Sequence, residues 1–160
     1  MGGRRGGSSA PAGQGEAAKP DCPYPLSYEV LQRARRQVWG VQLYQARGIG
    51  REDKAAAGRQ SLENFRFFGA PHVALITTDE ELGVYGAVDC GLYVSNFMLA
   101  AQNVGVASIA QAALASYPDF IRGHFALPPH RKLVCGISFG YADPAHAINA
   151  YRTARATVAQ

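Results

Sequence analysis

At 160 residues, 48% of them hydrophobic, the chain has room for one domain whose core holds without disulfide or metal staples. No uninterrupted apolar run reaches the roughly 18 residues of a membrane span, and the start shows no apolar stretch of the secretory type. The expectation is therefore a cytoplasmic protein with no membrane partner. Cys22, Cys90 and Cys135 are odd in number, with no Cys-x-x-Cys pair and no histidine at metal spacing, so they read as small buried hydrophobes and no metal is expected.

The formal charge of +4 is unevenly placed. Arg4, Arg5 and Lys19 against Glu16 put half of it in the first twenty residues. Arg33, Arg35, Arg36, Arg47, Arg51, Lys54 and Arg59 form a second cluster, with Glu52 and Asp53 among them. Two readings of that cluster stay open: a solvated helix face, or a rim that attracts a phosphorylated cofactor or nucleic acid. No zinc-finger spacing or aromatic-basic signature supports the nucleic-acid version, and none is expected as a partner.

In chain order, residues 1–20 are rich in Gly, Ala and Arg and cannot bury enough surface to offset the entropy of ordering, so a disordered tail is expected before a domain over 21–160. Ser27 to about Arg47 reads as a helix with Leu31, Val38, Leu43 and Tyr44 inward, stopped by Gly48. Arg51 to Phe67 reads as a second helix, broken by Gly69 and Pro71. His72 to Thr77 is dense in Val, Leu and Ile and reads as a strand, followed by a turn over Thr78 to Glu81.

From Asp89 to Val104 apolar residues wrap most of a helical wheel, which predicts a buried central helix capped by Asp89 and stopped by Gly105. A short strand, Val106 to Ile109, then delivers a loop at Ala110-Gln111. Pro118 suits the first turn of a helix running through Phe125. In the last strand, Lys132 to Gly140, Gly136, Ser138 and Gly140 leave one face open for a close neighbour. Strands alternating with helices imply a sheet covered on both faces. Dinucleotide, phosphate-loop and nucleophile-elbow motifs are absent, His72, His124, His130 and His146 are scattered, and no catalytic side chain is assigned.

Several segments, taken in order, carry a resemblance. They are Leu43-Tyr-x-x-x-Gly-Ile-x-Arg-x-Asp53, Asn64-Phe-x-Phe-Phe-Gly-Ala-Pro71, Asp89-x-Gly with Leu99-Ala-Ala-Gln, Ala110-Gln111 before Tyr117-Pro118, Cys135-Gly-Ile-Ser-x-Gly-Tyr-x-Asp-Pro144 and Asn149-x-Tyr-Arg-Thr-x-Arg155. Each is weak alone; in this order they resemble the flavin-dependent nitroreductases, over about Tyr24 to Ala156.

The resemblance implies an α+β, three-layer α/β/α fold with a mixed, mainly antiparallel sheet between helices. It also implies a homodimer with FMN at the subunit interface. NAD(P)H would be the reductant and a small aromatic nitro compound or quinone the substrate, in a ping-pong cycle. Ala110-Gln111 matches the family's Pro-Gln loop, whose backbone amides face the flavin. Arg155 matches the arginine on the FMN phosphate, with Arg152 as its helper. The family's N-terminal helix and its Arg-x-Ser-x-Arg motif have no counterpart here, so an N-terminally truncated domain is expected. Two function classes follow: an FMN oxidoreductase impaired by truncation, or a non-catalytic fragment serving only as a dimerisation or binding module.

Overall fold

The computed structural model describes residues 17–150, 152–155 and 157–158. Most of the expected tail, residues 1–16, lies outside the described residues, as does Tyr151 of the C-terminal motif. Three strands, β1 (His72–Asp79), β2 (Ala107–Gln111) and β3 (Arg131–Gly140), form one sheet in the order β1-β3-β2, and both pairings are antiparallel. β3 takes the centre, and it is buried on both faces: Leu133, Ile137 and Ser138 are fully buried. In register, His72 faces Phe139 and Leu75 faces Gly136, with a shift between Ile76 and Thr77.

Around the sheet stand α1 (Val30–Ala46), α2 (Lys54–Leu62), α3 (Gly83–Asn103) and α4 (Pro118–Phe125). The α+β class therefore holds, with helices against an antiparallel sheet. α3 lies on the face carrying Ile137 and Phe139. Its Cys90, Val94 and Phe97 pack with Ile76 and Ile137, and the Phe97 ring meets Phe139 edge-on at 5.3 Å. The short 3-10 turn Ala112–Ser116 covers the other face. There the small residues of β3 act as expected: a Cβ on Gly136 would meet the Leu114 side chain, and one on Gly140 would stand 2.6 Å from the Pro71 ring.

Three expectations are corrected. α3 begins at Gly83, six residues before Asp89, and Asp89 does not cap it. α3 is also not buried: only Gly86 and Cys90 are, while Leu92 is 61% and Leu99 67% exposed. The all-round apolar pattern thus describes one stripe on the sheet and a second stripe that this chain leaves uncovered. By length and composition alone, Glu80–Asn103 is apolar enough to cross a membrane, with a mean hydropathy of 1.2. The expectation drawn from uninterrupted runs missed this because Asp89, Ser95 and Asn96 break up the apolar residues.

The third correction concerns α1, which has no buried residue. Of the four residues expected inward, Leu31 and Val38 are exposed and Leu43 and Tyr44, near its end, are half-buried. The helix starts at Val30, three residues after the expected Ser27, and ends as expected, where Gly48 takes a left-handed φ of 64°. Gly105, at φ 75°, does the same for α3.

Candidate functional site

β2 lies at the edge of the sheet, and its last two residues are Ala110 and Gln111. The expected loop at these residues is instead the end of this strand: Ala110 pairs with Ile137 and Gln111 with Gly136. Along an edge strand successive residues direct their amides alternately toward the neighbour and away from it. One of these two N–H groups therefore points away from β3, toward the open edge. Ala110 is exposed, and its small side chain leaves that edge accessible.

Gln111 is only 3% exposed, and its side chain is fully engaged. Its Nε2 donates to Asn64 O at 3.0 Å and lies 3.2 Å from Asn64 Oδ1, while its Oε1 accepts a short hydrogen bond from Ser138 Oγ. Three segments thus meet at one amide: the end of β2, the middle of β3, and the 3-10 segment Glu63–Gly69 that follows α2. This bonding fixes the strand end in place. A buried amide with all its partners is rigid, whereas one left without them costs about 1–3 kcal/mol.

Beyond Asn64 the backbone is strained. Phe67 and Phe68 adopt φ of 56° and 53°, a left-handed conformation that bulky residues rarely accept, and Gly69 follows at 77°. Each such residue costs on the order of 1–3 kcal/mol. The outcome is a sharp reversal at Asn64-Phe-Arg-Phe-Phe-Gly that leaves Phe68 38% exposed.

The turn after Gln111 is held from the other end of the chain. Tyr24 Oη donates to Ala112 O at 2.7 Å and sits 3.0 Å from Ser116 Oγ, and Lys19 N donates to Ser116 O at 3.1 Å. Asp21 ties the same leading segment to the core, pairing with Arg122 at 2.6 Å and accepting the Leu133 amide at 2.8 Å. Burial pushes the Asp21 carboxyl up. The hydrogen bonds from Arg122 and Leu133 and the charges of Arg122 and Lys132 outweigh it and hold the group below the ordinary carboxylate range. The Arg122 guanidinium is raised in turn, first by its hydrogen bond to Asp21 and then by that to Asp119.

Arg152 and Arg155 lie on the exposed C-terminal segment, after the 3-10 turn Ala147–Asn149. Arg152 donates to Asn149 O at 2.8 Å, and Arg155 bonds to Thr153 and Ala154 of its own segment. Ala110 and Gln111 thus stand side by side on β2, while Arg152 and Arg155 bond within their own C-terminal segment. Burial pushes the thiols of Cys90 and Cys135 up, with the charge of Asp89 adding to it at Cys90, so neither is a nucleophile at neutral pH. A cavity of about 440 Å³ opens between β1 and α3, but its Arg131 is already held by Asp79 at 3.1 Å and Thr77 Oγ1 at 2.7 Å.

Asn64, Ser138, Asp21 and Tyr24 were given no role from sequence. Ser138 had a signal in the open face of its strand, and Asn64 in its motif. Asp21 and Tyr24 act through contacts across about a hundred residues, which no local pattern encodes.

The sequence pattern of the family described as Nitroreductase matches residues 23–141. The chain is 40% identical over 142 residues to nitroreductase NfnB of Mycolicibacterium smegmatis, covering 88% of this chain and 60% of that protein. It is 35% identical over 123 residues to a 4-nitrobenzoate reductase of Pseudomonas putida, covering 77% and 54%. Among solved structures, the FMN-dependent nitroreductase NfnB of Mycobacterium smegmatis in complex with NADPH superposes with a TM-score of 0.82 at 40% identity, over 89% of this chain and 64% of that one. The FMN- and NADPH-dependent NfnB of Sphigopyxis sp. strain HMH gives 0.85 at 29% identity, with the same coverage. The chain thus spans less than two thirds of the length of these relatives.

Proposed function

The chain belongs to the nitroreductase family, and from that premise we propose that it acts in an FMN-dependent NAD(P)H oxidoreductase that reduces nitroaromatic compounds or quinones. The observation that carries the reading is the immobilised end of β2, where the side chain of Gln111, the last residue of an edge strand, is bonded to Asn64 and Ser138.

These residues fit a flavin. An edge-strand N–H that cannot rotate away is a donor already in place for a ring that gains negative charge, and it needs no reorganisation to act. The family's proline has no N–H, so the donor in question is the Gln111 amide, which alanine at position 110 leaves intact. Bound FMN would supply the redox chemistry, taking hydride from the reduced nicotinamide and reducing the substrate in a ping-pong cycle. Asn64 and Ser138 hold Gln111 in register, and Tyr24 and Asp21 hold the turn behind it. Arg155 offers a forked guanidinium to the phosphate dianion, and Arg152, three residues earlier, adds charge beside it. The exposed Phe68 ring supplies an apolar surface for a planar substrate.

The same reading includes a homodimer, supported by the uncovered apolar stripe of α3, and a cytoplasmic location. It also includes a three-layer assembly with a mixed sheet, in which further strands extend the antiparallel core. The second reading, a dimerisation or binding module without catalysis, draws on the same stripe and on the partial length.

Anaerobic titration separates the two. If the reading holds, NADPH bleaches the absorbance of flavin carried by the chain and 4-nitrobenzoate restores it. Flavin that stays oxidised under NADPH leaves the binding module.

A further inference from the structure

The basic cluster of residues 33–59 has a part that is built as a pocket. Arg47, Ile49, Ala56, Arg59, Gln60 and Glu63 line a cavity of about 330 Å³ where the end of α1 meets α2. Arg47 is held on a defined backbone site, its amide donating to Leu43 O and Tyr44 O at the end of α1. Its guanidinium is pinned on two sides, donating from Nε to Gln60 Oε1 at 2.9 Å and lying 3.0 Å from His146 Nε2. Gln60 is 7% exposed, so this arginine is braced from the core. Arg59, in the last turn of α2, is exposed and joins none of the ion pairs among the described residues.

We propose that Arg47 and Arg59 hold the 2′-phosphate of NADPH, with Gln60 and Glu63 contacting the ribose that carries it. The proposal rests on the reading of the chain as an NAD(P)H-dependent reductase and deepens it by selecting NADPH over NADH. Three features point to this ligand. Two arginines lining one small pocket match a phosphate dianion through forked donors, the device by which arginine accommodates a 2′-phosphate. Glu63 is paired with Arg66 at 3.3 Å, so its charge is offset, and a ligand suits this pocket that brings a donor beside its anion. The 2′-phosphoribose does, because its 3′-hydroxyl adjoins the phosphate and can donate to Glu63.

Size and place complete the argument. The cavity is at the small end of ligand sites, enough for a phosphorylated ribose but not for a whole dinucleotide, and Ile49 and Ala56 give an apolar wall for the base. Gln60 lies four residues before Asn64, the residue that anchors the Gln111 side chain, so the pocket and the candidate redox site draw on the same stretch of chain.

The test is calorimetric binding of 2′,5′-ADP and 5′-AMP to the full chain and to Arg59→Ala and Arg59→Glu, variants that remove no intramolecular bond. These probes contain no nicotinamide and need no flavin, so the result is read separately from any failure of reductase activity. The parent should bind 2′,5′-ADP at least about tenfold tighter than 5′-AMP, a gap of one charge-assisted contact. Arg59→Ala should close most of that gap, Arg59→Glu all of it, and neither should alter FMN binding. Equal affinity for the two nucleotides, or a gap that persists in Arg59→Glu, overturns the proposal. So does a matching loss of FMN affinity in the variants, which assigns the pocket to the flavin phosphate instead.

Discussion

Replacing Asp21 tests whether the leading segment positions the site. Its side chain is 8% exposed and accepts two hydrogen bonds, from the Arg122 guanidinium at 2.6 Å and the Leu133 amide at 2.8 Å. Bonds to a charged group are worth about 1.5–3 kcal/mol each. Arg122 keeps Asp119 at 2.6 Å and Arg131 O at 3.2 Å, so its own loss is cushioned, while the Leu133 amide is left without an acceptor. Asp21→Ala should therefore cost about 3 kcal/mol, and Asp21→Asn, which can still accept from Leu133, about half of that. For a chain of this size 3 kcal/mol is a fall of roughly 6–12 °C in melting temperature. The pH dependence fixes the cause. Because the folded state holds the Asp21 pKa below its unfolded value, the contribution is present above the unfolded carboxylate range and is lost as pH falls through the folded pKa. The gap between parent and Asp21→Asn should be full at neutral pH and close below about pH 4. Urea unfolding at several pH values measures it. A gap under about 0.5 kcal/mol at neutral pH, or one that does not narrow in acid, refutes the reasoning.

Gln111→Ala should cost about 2–3 kcal/mol in urea unfolding, because it strands the Ser138 hydroxyl and the Asn64 carbonyl. Gln111→Pro removes a backbone donor as well, so flavin-dependent activity should fall further than in Gln111→Ala; equal losses would count against the backbone-amide role. Gly140→Ala drives a methyl against the Pro71 ring and should destabilise by about 1–3 kcal/mol, whereas an unchanged melting temperature would show that this packing is loose. In sedimentation the chain should self-associate at micromolar concentration through α3, and Leu92→Glu with Leu99→Glu should yield monomer; a folded parent that sediments as a monomer contradicts the proposed dimer.

Much of the fold was legible because its signals are local. Gly48 and Gly105 ended helices where their left-handed φ requires glycine, and Pro118 opened α4 at a position that needs no donor. The alternation of β3, with Gly136 and Gly140 on one side, correctly implied a close neighbour there. What failed was burial. Apolar residues on α1 and α3 say that a face seeks cover, but not whether this chain supplies it; Leu31, Val38, Leu92 and Leu99 are left uncovered. At the site, the pairing of Ala110 with Gln111 was visible as a motif. The partners that fix Gln111 come from 47 residues upstream and 27 residues downstream, a separation at which periodicity carries no information.

The central claim is that this chain offers FMN a prepared amide at the end of β2 and a cationic phosphate anchor at Arg155. Titrating the purified chain with FMN and following flavin fluorescence tests it most directly, with Arg155→Ala and Arg155→Lys alongside. The parent should show saturable quenching that weakens as salt rises; Arg155→Ala should weaken binding by roughly ten- to a hundredfold, and Arg155→Lys, which retains the charge but not the fork, should keep part of it. Quenching that is absent in the parent, or unchanged in Arg155→Ala, would contradict it.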